Sequence, residues 1–378
     1  VPATPGAPAV GASSGLLDPR SPDAPHQRTI EGWLALQDAM CLSPVRAIRE
    51  LDRGRGDPAR VRVRSGDRPA PGPAVLRGWR ETLARLGAVG LPHPGASYPD
   101  ALRAIGDPPP LLWVRGDRTA LYGPSVAIVG ARAATGYGRG VARSLAAGLA
   151  RCGVVVVSGL ARGIDAAAHR GALEAGGRTV AVQACGPDVV YPPEHRSLAE
   201  RITEAGAVVT ELPPGRPPVA AHFPLRNRLI SGLSLGVVVV EARPRSGSLI
   251  TVRHALEQGR EVWAVPGPVT APTSAGPNAL LRDGARPALE LRDVIEALGL
   301  HVDPSPDPRP PDAGRALDRE EARLLALLGT EPCTEEEILA RLAWTPGELA
   351  RRRVGLELDG LVVADRDGRL RAVRHGSS

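Results

Sequence analysis

Lysine is missing altogether from this 378-residue chain, so all 47 of its basic side chains are arginine. A glycine-rich P-loop needs a Lys to reach the outer phosphates of a nucleotide, and its absence excludes an ATP-driven motor of that kind. Aromatic residues make up 3% of the chain, with a single Phe at position 223. Cys41, Cys152, Cys185 and Cys333 are scattered and never form a CxxC pair, which argues against a zinc site or a disulfide framework and for reduced thiols in the cytoplasm. No apolar run approaches the roughly 20 residues that cross a bilayer. Residues 1–26 have neither the charged start nor the unbroken apolar stretch of a secretory signal. The expectation is a cytoplasmic protein with no membrane partner, no metal and no cofactor.

What is abundant is glycine (44), proline (39) and arginine, within a composition that is 43% hydrophobic and carries a net charge of +6. That charge is compatible with a polyanionic partner and becomes informative only if the arginines converge on one site. The length suggests two or three units. Residues 1–26 read as a disordered tail and 27–90 as a small helical unit, containing TIEGWLALQDAM and AVLRGWRETLARLG. Over 91–299, short β-branched runs (VAIVG, VVVVSG, TVAVQACG, AVVTE, GVVVVEA and EVWAVPG) alternate with helical segments. Continuous apolar strands separated by helices predict an α/β unit, a Rossmann-like, doubly wound, mostly parallel sheet. A Pro-rich linker at 300–314 leads into 315–374, which reads as three helices and a hairpin, the winged-helix pattern. Thr334 with Glu337 and Thr345 with Glu348 have capping-box spacing, Pro346 suits a first helical position, and Asp367-Gly368 suits the hairpin turn.

Ligands of an open parallel sheet sit beyond the carboxyl ends of its strands. There the chain carries GARAATGYGRG, SGLARGID, YPPEH, ELPPG and EARPRSGSL. A dinucleotide is disfavoured: the glycine after Gly130 comes six residues later, and the second strand ends in Ser158-Gly159 instead of an acidic residue. Ser158, Asp165 and His169 could be assembled into a hydrolytic set, with Glu241 as a further acid or base, making a nucleotide or nucleoside-phosphate hydrolase the rival reading. The plainer reading has Asp165 complementing a helix N-terminus and His169 in a structural hydrogen bond. The remaining rim residues are cationic or polar, notably Arg132, Arg162, Arg226, Asn227, Arg228, Arg243 and Arg245, with Phe223 beside them. Guanidinium forks hold phosphate, and an aromatic face stacks an unpaired base; otherwise Phe223 is core. Arg226 and Arg228, two apart on one helix, point to different sides, so one is expected at the ligand and the other as an anchor. Ser246 and Ser248 open another helix, whose free N–H groups favour an anion. In the C-terminal unit, GELARRRVGLELDG would be the recognition helix if that unit binds duplex DNA.

Five motifs in order, IVGAR, VVSGLARGIDAAAHRGAL, FPLRNRLISGLS, RSGSLITVRHALEQGREVWAVPG and GPNALLRDGA, resemble the DprA (Smf) family of bacterial DNA-processing proteins. The resemblance implies an extended Rossmann-like domain, a sterile-alpha-motif-like unit before it and a winged helix after it, although AMCLSPVRAIRE lacks the Gly-Ile-Gly turn common in the first of these. It implies no enzyme activity. Instead it implies a homodimer that binds and protects single-stranded DNA in natural transformation, displaces single-strand-binding protein and loads a RecA-type recombinase. Carried over by motif, Arg132 resembles the phosphate-contacting Arg and Phe223 the base-stacking aromatic. Arg226, Asn227 and Arg228 share the Phe223 motif, and Gly159, Arg162, Ser246 and Ser248 lie in neighbouring loops.

Overall fold

The structure, a computed structural model, describes residues 71–299 without a break, together with 318–329, 332–358, 361–364, 369–372 and the helical positions Leu34, Ala47, Arg49 and Leu51. The expected tail, linker and Asp367-Gly368 turn, and nearly all of TIEGWLALQDAM, lie outside the described residues. The chain divides into two compact units, 1–302 and 303–378.

The first unit is built on a nine-stranded sheet. Its parallel strands are β3 (Ser125–Val129), β4 (Val155–Ser158), β5 (Thr179–Val182), β6 (Ala207–Thr210), β7 (Gly236–Val239), β8 (Glu261–Ala264) and the two-residue β9 (Arg286–Pro287). β3 to β7 are buried along their whole length, which is why their sequences are runs of valine and alanine and not alternations. Helices α3 (Gly136–Arg151) and α4 (Ile164–Glu174) pack on one face, where Val126 and Ile128 meet Ala142, Leu149 and Ala168. Helices α6 (His222–Gly232) and α7 (Ser248–Glu257) pack on the other, where Ala127 and Val129 meet Leu229, Ile230 and Val252. α5 (Arg196–Ala205) packs with α4 and β5.

Two further strands extend the sheet: β2 (Leu111–Gly116) pairs antiparallel with β6, and β1 (Val89–Pro92) pairs antiparallel with β2. They need no crossover helix, so the strand–helix alternation visible in the sequence passes over them. The buried side chains of Leu111 and Trp113 in β2 share a core with Leu76 and Leu83 of α1 (Pro73–Arg85) and with Leu34, Ala47 and Leu51. The described part of the N-terminal helical segment is therefore covered by the sheet edge. α2 (Asp100–Arg103), α8 (Ala275–Arg282) and α9 (Leu291–Ala297) complete the unit.

The sheet order is β1-β2-β6-β5-β4-β3-β7-β8-β9. The chain steps from β3 to β4, β5 and β6 on one side, then returns to the opposite side of β3 as β7. The crevice beyond the ends of β3 and β7 is the switch point of the fold, where such sheets bind ligands.

The second unit contains α10 (Arg319–Leu328), α11 (Glu335–Leu342), α12 (Pro346–Leu358) and the antiparallel pair β10 (Val362–Ala364) and β11 (Leu370–Ala372). Thr334 and Glu337 form the expected capping box of α11. Thr345 and Glu348 bond reciprocally at the start of α12. Leu324, Ile338, Leu349 and Leu356 lie in one core.

Candidate nucleic-acid interface

A groove of about 570 Å³ occupies the switch point. The loop after β3 supplies Gly130 to Ala133, and the loop after β7 supplies Arg243, Arg245, Ser246 and Gly247. The first turns of α6 and α7 supply Phe223, Pro224, Arg226, Asn227, Ser248 and Thr251. Arg132 is exposed, and its guanidinium carbon lies 4.9 Å from the centroid of the half-buried Phe223 ring. The pair thus presents a planar cation and an aromatic ring at one rim, while Arg243 and Arg245 are exposed at the other. Pro224 sits in the first turn of α6, where a missing amide proton costs no helical hydrogen bond.

Two helix N-termini flank the crevice, and they differ. At α3, Thr135 is the N-cap and accepts from the Gly138 amide. Glu241, from the loop after β7, reaches across to accept from the Thr135 amide at 2.9 Å and from its hydroxyl. The Glu241 carbonyl accepts from the Ala131 amide at 2.7 Å. A Cβ at Gly138 would fall on this carboxylate, so glycine is required there. A buried protein carboxylate therefore occupies the anion position that dinucleotide folds give to pyrophosphate. At α7 the N-cap is Gly247, and the Ser246 hydroxyl accepts from the Ser248 amide at 3.4 Å, with no carboxylate placed there among the described residues. Its Ser246 and Ser248 hydroxyls pair at 2.8 Å beside the groove, and Asn227 Nδ2 donates to the Gly247 carbonyl at 3.1 Å. The anion-favouring N-terminus that faces the groove is thus that of α7.

Neither arginine of the FPLRNRL segment is exposed. Arg226, 6% exposed, lines the groove from beneath and donates to the carbonyls of Gly159 and Val182. Burial pulls it down to about 10, opposed by the neighbouring Asp165 carboxylate, so it stays charged at neutral pH. Burial also pushes the Asp165 carboxyl up, against the Arg226 charge and the Gly159 and Ala161 amides that donate to it. A Cβ on Gly159 would lie 2.6 Å from Arg226 Nη1 and 2.7 Å from Asp165 Oδ2, so this glycine makes room for the buried pair. The expectation for Arg228 as a DNA contact is corrected. It is 1% exposed, does not line the groove, and pairs with Glu211 and, at 3.2 Å, with Asp107. Its position on α6 turns it into the sheet, where only a carboxylate partner makes a guanidinium tolerable.

The hydrolytic constellation is spent on structure. Ser158 Oγ donates to the Ile128 carbonyl at 2.6 Å. The Thr179 hydroxyl donates to the Val156 carbonyl, so it accepts from His169 Nδ1 at 2.7 Å, which fixes the imidazole tautomer. Burial holds His169 down to about 3, and its Nε2 has no hydrogen-bond partner.

A smaller pit of about 60 Å³ adjoins the groove and shares Arg132, Ala161 and Phe223 with it. Arg162 lines the pit while paired with Glu194 in solvent. Tyr191 also lines it and meets Phe223 at 5.7 Å between ring centroids and 61° between planes. Sequence reasoning names the YPPEH loop but not this ring; an aromatic beside a Pro at the sheet's ligand end is the signal it carried. Among the described residues no helix is long and apolar enough to cross a membrane.

Fold and site together define a Rossmann-like α/β protein whose switch-point groove is cationic and partly aromatic. A family model described as DNA recombination-mediator protein A matches residues 91–299, and one described as the DprA winged helix domain matches 308–368. The chain is 41% identical over 292 residues to Protein Smf of Escherichia coli, covering 75% of this chain and 77% of that protein. It is 44% identical over 227 residues to DNA processing protein DprA of Bacillus subtilis, covering 60% and 75%. Among solved structures, DNA processing protein A from Streptococcus pneumoniae superposes with a TM-score of 0.60 at 35% identity, covering 70% of this chain and 97% of that one. A structure concerned with the single-stranded DNA binding mode of the Helicobacter pylori protein gives 0.51 at 30% identity, covering 56% and 95%. The chain belongs to the DNA recombination-mediator protein A family, whose members carry the names DprA and Smf.

Proposed function

We propose that the switch-point groove binds single-stranded DNA without regard to sequence, and that the protein acts in DNA processing during transformation. The observation that carries this is the exposed Arg132 guanidinium set 4.9 Å from the ring centroid of the half-buried Phe223. One side chain suits a phosphate and the other a base, side by side as they occur in an unpaired strand. Asn227, Ser246, Ser248 and the first turn of α7 take a neighbouring phosphate, while Arg226 shapes the floor and Gly159 lines the adjoining pit. The relatives named DNA processing protein and the Helicobacter pylori structure support the same reading. Protection of the strand, displacement of single-strand-binding protein and loading of a RecA-type recombinase by a cytoplasmic homodimer follow as its further steps.

Titrating labelled oligothymidine by fluorescence anisotropy at several salt concentrations tests the site. Arg132→Ala should flatten the log–log salt slope by roughly 0.7, the share of one phosphate on a single strand. Phe223→Ala should weaken binding by about 1–3 kcal/mol with the slope unchanged. Unaltered affinity in both variants would remove the proposed site.

A further inference from the structure

None of the residues of the YPPEH segment lines the groove, yet its last two grip the loop after β4. Glu194 pairs with Arg162 at the surface. His195, buried at the N-cap of α5, donates from Nδ1 to the Leu160 carbonyl at 2.8 Å; a carbonyl only accepts, so the imidazole proton sits on Nδ1. Leu160 is the reason for such a grip. Its φ of 58° lies in the left-handed region that a Cβ disfavours, and its side chain is fully buried. A residue keeps that conformation only where its surroundings over-determine it. Asp165 accepts from the amides on either side, Gly159 and Ala161, and Arg226 donates to the Gly159 carbonyl. His195 adds the bond to Leu160 itself. Leu198, Ala199 and Ile202 of α5 share a core with the Leu160 side chain, so His195 acts from a rigid base.

The far end of this turn bears on the groove. Gly163, at φ 76°, packs so closely on the loop after β3 that a Cβ there would fall on the Ala131 and Arg132 carbonyls. The Ile164 amide donates to the Ala131 carbonyl at 3.2 Å. The Arg132 backbone therefore rests on a turn whose left-handed residue is pinned by His195. We propose that His195 is a positioning residue for the DNA site: it touches no strand, and it sets where the Arg132 guanidinium meets phosphate. This role rests on the reading of the groove as a single-strand site.

The test pairs two substitutions of similar shape. In His195→Asn the amide nitrogen takes the place of Nδ1 and still donates; His195→Leu offers no donor, and neither variant carries a charge. Oligothymidine anisotropy across salt concentrations reads each variant alone and combined with Arg132→Ala. His195→Leu should flatten the salt slope by up to roughly 0.7, the share of one phosphate, which at about 0.1 M salt is about a 5-fold loss of affinity. It should cause no further loss once Arg132 is replaced, and His195→Asn should keep the wild-type slope and affinity. His195→Ala repeats the comparison if His195→Leu folds poorly. A folded Leu or Ala variant with the wild-type slope, an equal loss with and without Arg132, or failure of both to fold would return His195 to a purely structural role and leave the groove standing. If the wild-type protein does not bind oligothymidine, or Arg132→Ala and Phe223→Ala both bind unchanged, the groove reading falls and the role of His195 with it.

Discussion

At the scale of single residues, Arg132 and Arg228 illustrate how exposure decides a role. Arg132 keeps its guanidinium at the surface, where it can exchange water for phosphate at small cost. Arg228 is buried against Glu211 and Asp107, and removing it strands a buried carboxylate. Arg228→Ala should therefore destabilise the protein by about 3–5 kcal/mol, read as a lowered urea midpoint, while the folded protein keeps its salt slope on oligothymidine. An unaltered midpoint with a flattened slope would return Arg228 to the DNA site. The sequence shows that Arg226 and Arg228 face different ways, because helical geometry separates residues two apart. It does not show that both are buried, because their partners Gly159, Val182, Glu211 and Asp107 come from other elements.

At the scale of elements, the contrast between α3 and α7 governs where an anion can sit. The Glu241 carboxylate ties the loop after β7 to the N-cap of α3, so the loop bearing Arg132 is held from across the crevice. Glu241→Gln would set an amide donor against the Thr135 donors. The expected result is a loss of roughly 1–3 kcal/mol, the usual cost of an unmet buried polar group, with weaker oligothymidine binding as the Arg132 loop loses its brace. Chemical unfolding and anisotropy measure the two effects separately. The parallel strands were legible because burial on both faces leaves continuous valine runs. β1 and β2 were not, since an antiparallel extension between Pro- and Gly-rich turns carries no such signature. The glycine spacing excluded a dinucleotide fingerprint, but the carboxylate filling the phosphate position is a tertiary fact, joining residues 106 apart in the chain.

At the scale of the whole molecule, buried ionisable groups set how stability responds to acid. His169 sits in the core with its proton on Nδ1 and its folded-state value lowered from 6.5 to about 3, first by burial and then by His195, Arg226 and Arg170. The unfolded chain binds a proton there below about 6.5 and the folded chain does not until about 3. The His169 share of stability is therefore complete above about 6.5 and drains as pH falls toward about 3, at up to about 1.4 kcal/mol per pH unit. His169→Gln does not titrate. Between about pH 7 and about pH 5, the wild type should lose roughly 2 kcal/mol more than this variant; parallel losses would show that the imidazole does not take up the proton.

The sequence by itself determined the fold class, the excluded chemistries and the family, because periodicity, missing lysine and ordered motifs are local properties of the chain. It also marked Phe223 and Arg132 as a pair worth seeking. Only the tertiary structure decided which arginines face solvent, which helix end is already filled by Glu241, and that Tyr191 joins Phe223 beside a pit. Those outcomes depend on which distant groups the sheet order brings to one crevice, and the free energy of a charge is set by that company and not by its neighbours in sequence.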